Sequence, residues 1–381
     1  MRFALFYHSF CSCWNHGNAH FLRGVSRELI RLGHQVTVYE AEEGWSRQNA
    51  LADLGAAALA EASTLVAGIE LQFYRLNAID LERELADVDV AIAHEWNAPA
   101  LLAALSRRRI LGGRFVLLFH DTHHRAISAP HEIDAFDLSG FDGVLAFGEV
   151  LREVYVARGW GRRAFTWHEG ADTELFRPLP GIARDTDLIW IGNWGDGERA
   201  QELRDFLLEP VSRLGIKARL HGVRYPHEVR MELAARAISY AGWLPNHRVP
   251  HAFARARVTV HVPRRPYVEA LRGIPTIRMF EALACGIPLI SAPWRDVEGL
   301  FPAGSYVTAD NADEMTAAIS LVLRDSDLAS ELAANGIKAI RARHSCAHRV
   351  AQLLAILEVL GAEAASRSRQ SLVDQQRVAV P

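Results

Sequence analysis

Lysine occurs only twice in the 381 residues, at Lys217 and Lys338, so nearly all of the 42 basic charges are arginine. Arginine's planar fork suits phosphate recognition, and an Ala- and Arg-rich coding bias yields the same excess. Cysteine is also scarce. Four residues with no Cys-x-x-Cys exclude a disulfide scaffold, and Cys11 and Cys13 lack a second pair to complete a zinc site. Reduced, packed thiols in a cytoplasm are the expectation. No run approaches the roughly 18 uncharged apolar residues needed to span a bilayer. The opening Met1-Arg2-Phe3-Ala4-Leu5-Phe6 leads into Cys, Trp and His instead of a cleavage site. Secretion and an integral membrane role are therefore disfavoured, as is nucleic-acid binding, since 42 basic against 45 acidic residues supply no general positive field.

What is present is a globular composition, half apolar and 23% charged, in a chain long enough for two domains. Residues 1–180 carry 17 basic and 23 acidic side chains and residues 181–381 carry 25 and 22, so an anionic ligand favours the second half. An apolar run over 2–8 is followed by a turn-rich stretch over 9–18. Helical spacing then runs over 19–32 and ends at Gly33, and a strand follows over 35–40. This β-α-β unit continues through strands at 88–93, 115–119 and 143–147 and helices at 98–108 and 149–158. Continuous apolar strands separated by helices indicate a parallel sheet covered on both faces.

Two prolines and a glycine in Phe176-Arg177-Pro178-Leu179-Pro180-Gly181 mark a linker, after which the pattern restarts. Strands are expected at 187–192, 217–222, 258–262 and 288–291, with helices at 200–214, 276–285 and 312–323. The fold class is α/β, with two Rossmann-like domains facing a cleft, and such sheets bind ligands at the carboxyl ends of their strands.

The most informative segment is Gly273-Ile274-Pro275-Thr276-Ile277-Arg278-Met279-Phe280-Glu281-Ala282-Leu283-Ala284-Cys285-Gly286. A carboxylate such as Glu281 on a short apolar helix needs a partner, a ribose diol for example, or Arg278 one turn earlier. The helix start near Pro275-Thr276 offers N–H groups and a positive dipole end to a diphosphate. The segment resembles the donor-binding signature of GT-B glycosyltransferases. Two further stretches match in order: His168-Glu169-Gly170-Ala171-Asp172 resembles the element that ends the first domain of that family, and Tyr240-Ala241-Gly242-Trp243-Leu244-Pro245 the turn that meets the base. The variant with Arg278 and Phe280-Glu281-Ala282-Leu283-Ala284-Cys285-Gly286 is most similar to the CgeB-like, spore-maturation branch.

The resemblance covers residues 1–360 and implies an organisation. Residues 1–175 form an acceptor-side domain and 183–345 a donor domain. A C-terminal helix over 346–361 packs back toward the first domain; beyond the resemblance, the polar composition of 362–381, low in large apolar residues, points to a disordered tail. The resemblance also implies roles: Glu281 on the ribose, Arg278 with Gly273, Ile274, Pro275 and Thr276 on the diphosphate, Trp243 and Leu244 near the base, and His120 on the donor sugar. Retaining members carry a second glutamate where this chain has Gly273; Glu269 is the nearest substitute.

Other candidates come from strand ends. His120-Asp121-Thr122-His123-His124 follows a strand, so Asp121 is placed to act as a base toward an acceptor hydroxyl. Trp14, His16 and Gly17 follow the first strand on the acceptor side. Gly192, Asn193 and Arg199 occupy the corresponding position in the second half, with Arg264 and Arg265 as further phosphate ligands. His120, His123 and His124 also suggest metal, with His94-Glu95 as the source of a further ligand, but no metalloprotease-type spacing is present and no metal site is expected. Three Asp-x-Asp triplets, beginning at Asp87, Asp185 and Asp325, are not placed to hold a metal diphosphate.

The expected activity is metal-independent transfer of a sugar, a hexosyl group, from a nucleotide-diphosphate sugar to a glycan, lipid-linked or small-molecule acceptor. No cofactor is expected besides that co-substrate. The expected location is the cytoplasm, with peripheral contact to the inner membrane face left open. The alternatives are a nucleotide-sugar epimerase or hydrolase of the same architecture, and a non-catalytic nucleotide-sugar-binding protein.

Overall fold

A computed structural model describes residues 1–195 and 197–361, so the tail expected over 362–381 lies outside the described residues. Two parallel sheets form where the apolar runs predict them. The first comprises β1 (Arg2–Phe6), β2 (Gln35–Ala41), β3 (Glu70–Tyr74), β4 (Val90–His94), β5 (Val116–Asp121), β6 (Gly143–Ala146) and β7 (Ala164–Thr166). The second comprises β8 (Thr186–Ile191), β9 (Ala218–His221), β10 (Ser239–Tyr240), β11 (Ala256–His261), β12 (Leu289–Ser291) and β13 (Val307–Thr308). Their spatial orders are β3-β2-β1-β4-β5-β6-β7 and β10-β9-β8-β11-β12-β13.

Each order reverses at its centre, between β1 and β4 in one sheet and between β8 and β11 in the other, and chain segments diverge there to open a crevice at the strands' carboxyl ends. β1 runs beside β4 with Phe6 opposite Ala93, and β4 beside β5 with His94 opposite His120. The central strands read as unbroken apolar runs because helices cover both faces.

The helix expected over 200–214 is interrupted. Ala200–Leu203 and Glu209–Leu214 are α-helical, and Arg204–Leu208 between them forms a wider π-helical turn. Pro210 cannot donate a backbone hydrogen bond, and the ladder widens beside it. The short edge strands β3, β7 and β13 carry too little apolar periodicity to be read from sequence.

The two lobes share apolar packing. One continuous cluster runs from Leu22 and Val25 of the helix Ala19–Arg31 to Ile277 and Phe280 in the second lobe, and on to Val350 and Leu353. Full burial of such side chains contributes roughly 1.5–3 kcal/mol each. The helix over 346–361 returns to the first lobe as expected: Trp167 Nε1 donates to the Arg349 carbonyl (2.7 Å), and Arg349 Nε donates to the Glu169 carbonyl (2.9 Å). Its packing holds one side of the inter-lobe gap closed and leaves the other side to form a cleft.

Candidate active site

A cleft of about 730 Å³ lies between the two switch points and is lined from both lobes, a volume suited to a small-molecule ligand. Its second-lobe wall is cationic. Gly192 and Asn193 follow β8, Arg264 follows β11, and Arg199 stands between them, held by bonds to the Val262 carbonyl (3.1 Å) and the Asn193 carbonyl (2.8 Å). Trp243 and Leu244 line the same wall. Arg264 is paired with Glu198, whose other neighbour is His124 Nε2 of the first lobe at 3.4 Å. Burial pushes the Glu198 carboxyl up, but its interactions with His124 and Arg264 outweigh that and hold it at about 2.

The helix Ile277–Cys285 points its N-terminus at this wall. Thr276, Ile277 and Arg278 line the cleft, the Thr276 side chain does not cap the helix, and its first turn carries no acid. The positive end of the dipole therefore faces the cleft uncompensated. Gly273, Ile274 and Pro275 do not reach it. All three are buried, and the Ile274 carbonyl accepts from Trp294 Nε1 at 3.0 Å. The loop supports the helix start through that bond.

Glu281 is likewise not open to the cleft. It has no exposed surface, its Oε2 accepts from Arg278, and its Oε1 lies 3.0 Å from His20 Nε2, off the line of a good hydrogen bond. Burial pushes this carboxyl up, but Arg278 and His20 together outweigh that and hold it below its ordinary value. Where an open carboxylate was expected the structure has a buried pairing, because Arg278 one turn earlier lies over the same face. Glu269, the suggested stand-in for the missing second glutamate, is exposed and away from the cleft.

The first-lobe wall is aromatic and imidazole-rich. Trp14, His16 and Gly17 line it as expected, together with His8, Trp45, Trp96, His123 and His124. Arg125 stacks 3.9 Å from the Trp96 ring and bonds Glu95 at 2.6 Å, which fixes that indole. Asn15 Oδ1 accepts from Asn193 Nδ2 across the cleft. Gly17 is required by close approach: a Cβ there would meet Ile277 Cγ2 of the other lobe at 2.7 Å.

Two first-lobe assignments need correction. His120 lies beneath the lining, its ring 4.8 Å from Trp167 and 5.2 Å from His94, with neither nitrogen bonded. Asp121 is fully buried, accepting from Tyr155 Oη (2.7 Å) and the His123 N–H (2.9 Å). The strand-end rule located the right crevice, but β5 ends one layer too deep, so the next residues, Thr122 to His124, reach the cleft in their place.

Glu169 is a cleft residue that the sequence reading did not single out. It is nearly fully buried, lines the cleft, and leaves Oε1 without a partner. Burial pushes its carboxyl well above the usual range, reinforced by the charges of Glu281 and Glu95. Its position in the segment that ends the first lobe was the available signal.

Burial also disfavours the charged form of four first-lobe imidazoles. His8 and His94 are pushed well below their usual range, and His16 and His120 down to about 3. His8, His16 and His94 offer ring nitrogens that all lie within 4.8 Å of one another, a grouping that the expectation of no metal site did not foresee. The Asp-x-Asp triplets have other partners: Asp89 accepts from the Arg2 N–H, Asp185 pairs with Arg255, and Asp325 caps the helix Ser326–Arg343. The four cysteines are unpaired. Among the described residues no helix is long and apolar enough to cross a membrane.

Residues 17–175 match the family model described as Glycosyltransferase Family 4, and residues 201–355 the one described as Glycosyl transferase-like. No curated protein matches the sequence. Among solved structures, a sucrose-phosphate synthase from Thermosynechococcus elongatus is 14% identical with a TM-score of 0.66, the match covering 95% of this chain and 100% of that one. A glycosyltransferase from Rickettsia africae is 12% identical with a TM-score of 0.64, covering 94% and 98%. The Anabaena protein HepE, in complex with UDP, is 14% identical with a TM-score of 0.63, covering 94% and 100%.

Proposed function

We propose that this chain is a GT-B glycosyltransferase that moves a sugar from a nucleoside-diphosphate donor to an acceptor hydroxyl bound against the first lobe. The observation that carries this reading is the asymmetry of the cleft. Arginines, among them Arg199, Arg264 and Arg278, and a helix N-terminus form one wall, and imidazoles and indoles form the other. The cationic wall suits a departing diphosphate, whose negative charge grows as the bond to the anomeric carbon breaks; fixed cations stabilise such a developing charge well. Tryptophan faces suit the apolar face of a sugar or an acceptor ring.

Arg278 meets the diphosphate, and Glu281 acts on the donor through Arg278. Arg199 and Arg264 flank the same phosphates, with Gly192 and Asn193 supplying backbone approach and Trp243 and Leu244 packing near the base. Glu169, whose Oε1 is unpartnered at the cleft, meets the donor. As the acceptor oxygen bonds to the anomeric carbon its hydroxyl becomes strongly acidic, and His123, whose Nδ1 has no protein partner, takes the proton. The reading includes membership of the CgeB-like branch, a hexosyl donor, no metal at the diphosphate, and a cytoplasmic location.

The test is incubation of the purified protein with a panel of nucleotide-diphosphate sugars, beginning with UDP-glucose because HepE is bound to UDP. Nucleoside diphosphate is followed with and without alkyl glycosides, polyprenyl phosphate and phenolic alcohols as acceptors. Acceptor-dependent release with a new glycosidic product is expected. Release that never depends on acceptor favours the hydrolase or epimerase alternative, and binding without turnover favours the non-catalytic one.

A further inference from the structure

His8, His16 and His94 are far apart in sequence but meet at the first lobe's switch point. His8 lies two residues beyond the end of β1, His94 ends the neighbouring β4, and His16 returns on the loop between β1 and the next helix, its N–H bonded to the Cys13 carbonyl at 3.2 Å. Their ring centroids are 4.3, 5.1 and 5.7 Å apart. All three rings are buried, and His8 Nδ1 and both nitrogens of His16 have no hydrogen-bond partner. An unsatisfied buried polar atom is costly, and three such atoms on the two adjoining rings of His8 and His16, beside His94, call for a partner.

We propose that His8, His16 and His94 form a binding site for one divalent transition-metal ion of the zinc class, with its remaining coordination position open to the cleft. The donor set is three imidazoles, the set that leaves zinc a free position for an oxygen ligand. No carboxylate belongs to it, which disfavours calcium and magnesium. Zinc–nitrogen bonds of about 2.0–2.1 Å place tetrahedral ligand atoms roughly 3.4 Å apart, so small ring rotations close the set from its present spread.

The surroundings of His94 fit a ligand. Its Nε2 lies 3.2 Å from Thr122 Oγ1, which in turn donates to Glu95 Oε1 at 3.2 Å, and Glu95 is held by Arg125. This relay uses Nε2 as the donor and leaves a lone pair on Nδ1, where the only contact is a long 3.4 Å approach of the Trp96 N–H. A chain of this kind fixes tautomer and ring orientation for metal binding. His8 and His16 themselves line the cleft, so the open position takes an oxygen of water or of an acceptor. The site lies across the cleft from the arginine wall and does not depend on the diphosphate assignment.

The experiment is metal binding by the purified, chelator-treated full chain. Zn²⁺ alone and Co²⁺ alone are titrated, with cobalt's visible absorption as the signature of tetrahedral nitrogen ligation. One ion per chain is expected, with at least a 100-fold weaker dissociation constant in His16→Asn and His8→Gln and an unchanged one in His131→Gln. Equal affinity and spectrum in His16→Asn overturns the proposal. Should the variants fail to fold, a crystal of the unaltered protein soaked in zinc sulfate decides. An anomalous peak among the three rings supports the site; no peak, or a peak only at His123, His124 and Glu198, overturns it.

Discussion

His20 Nε2 of the first lobe stands 3.0 Å from Glu281 Oε1 of the second, and neither side chain has any exposed surface. Glu281 also holds Arg278. The orientation of the cleft's central cation is therefore set partly by the other lobe, through a carboxylate that solvent cannot screen.

Replacing Glu281 by Gln keeps the volume and removes the charge that holds Arg278. Breaking a buried pair from one side costs about 3 kcal/mol or more. A correspondingly lower urea midpoint is expected, with nucleoside-diphosphate affinity by calorimetry reduced at least about 10-fold. Unchanged affinity would separate Arg278 from donor binding.

Gly17→Ala places a Cβ where Ile277 Cγ2 stands, at 2.7 Å. The lobes must part locally, and a loss of kcat/KM with little change in far-ultraviolet dichroism is expected. Ile277→Ala removes the clashing methyl, so the double variant should recover part of the loss, a coupling that contacting residues show and independent ones do not.

Gly273 stands where the resemblance to GT-B enzymes leads to the expectation of a glutamate in retaining members, yet its φ is +93° and a Cβ would lie 2.6 Å from Val297 Cγ2. Left-handed backbone costs a side-chain-bearing residue roughly 1–2 kcal/mol. Gly273→Glu should therefore lower the melting temperature and fail to raise turnover; a gain in turnover would restore a direct sugar-contacting role to this loop.

Glu40 anchors the turn after β1, accepting from the Phe10 and Cys11 N–H groups at 2.9 and 2.7 Å through one oxygen while the other has no partner. Burial lifts its carboxyl from 4.5 to about 7, against the lowering influence of those bonds and of Arg47 and Arg23. The folded state therefore holds the proton more tightly than the unfolded one. The resulting stability is complete below pH 4.5 and is lost as pH rises through 7, by about 3 kcal/mol. Glu40→Gln keeps both bonds and puts an amide where the unpartnered oxygen was. Melting temperatures between pH 5 and 8 should be flatter in the variant than in the parent protein; parallel curves would show that Glu40 does not titrate in this range.

The elements nearest the cleft were legible because each depends on a local pattern. Unbroken apolar runs gave β1, β4, β5 and β8, and glycine stops gave helix ends such as Gly33 and Gly286. Strand ends pointed to Trp14, His16, Asn193 and Arg199, all of which line the cleft. The same rule failed by one layer at His120 and Asp121, since sequence position at a strand end does not tell whether the next turn lies above or below a neighbouring ring. Glu169 escaped notice because its peculiarity, a carboxyl left unpartnered and dry, is a property of its surroundings.

The amino-acid sequence by itself determined two parallel α/β lobes, their linker and the helix bearing Arg278 and Glu281, because hydrophobic period, proline and glycine act over a few residues. Only the tertiary structure decided that Glu281 meets His20, that Gly17 touches Ile277, and that His8, His16 and His94 converge. Those relations depend on how two independently twisted sheets dock, and that is governed by the summed packing of residues far apart along the chain.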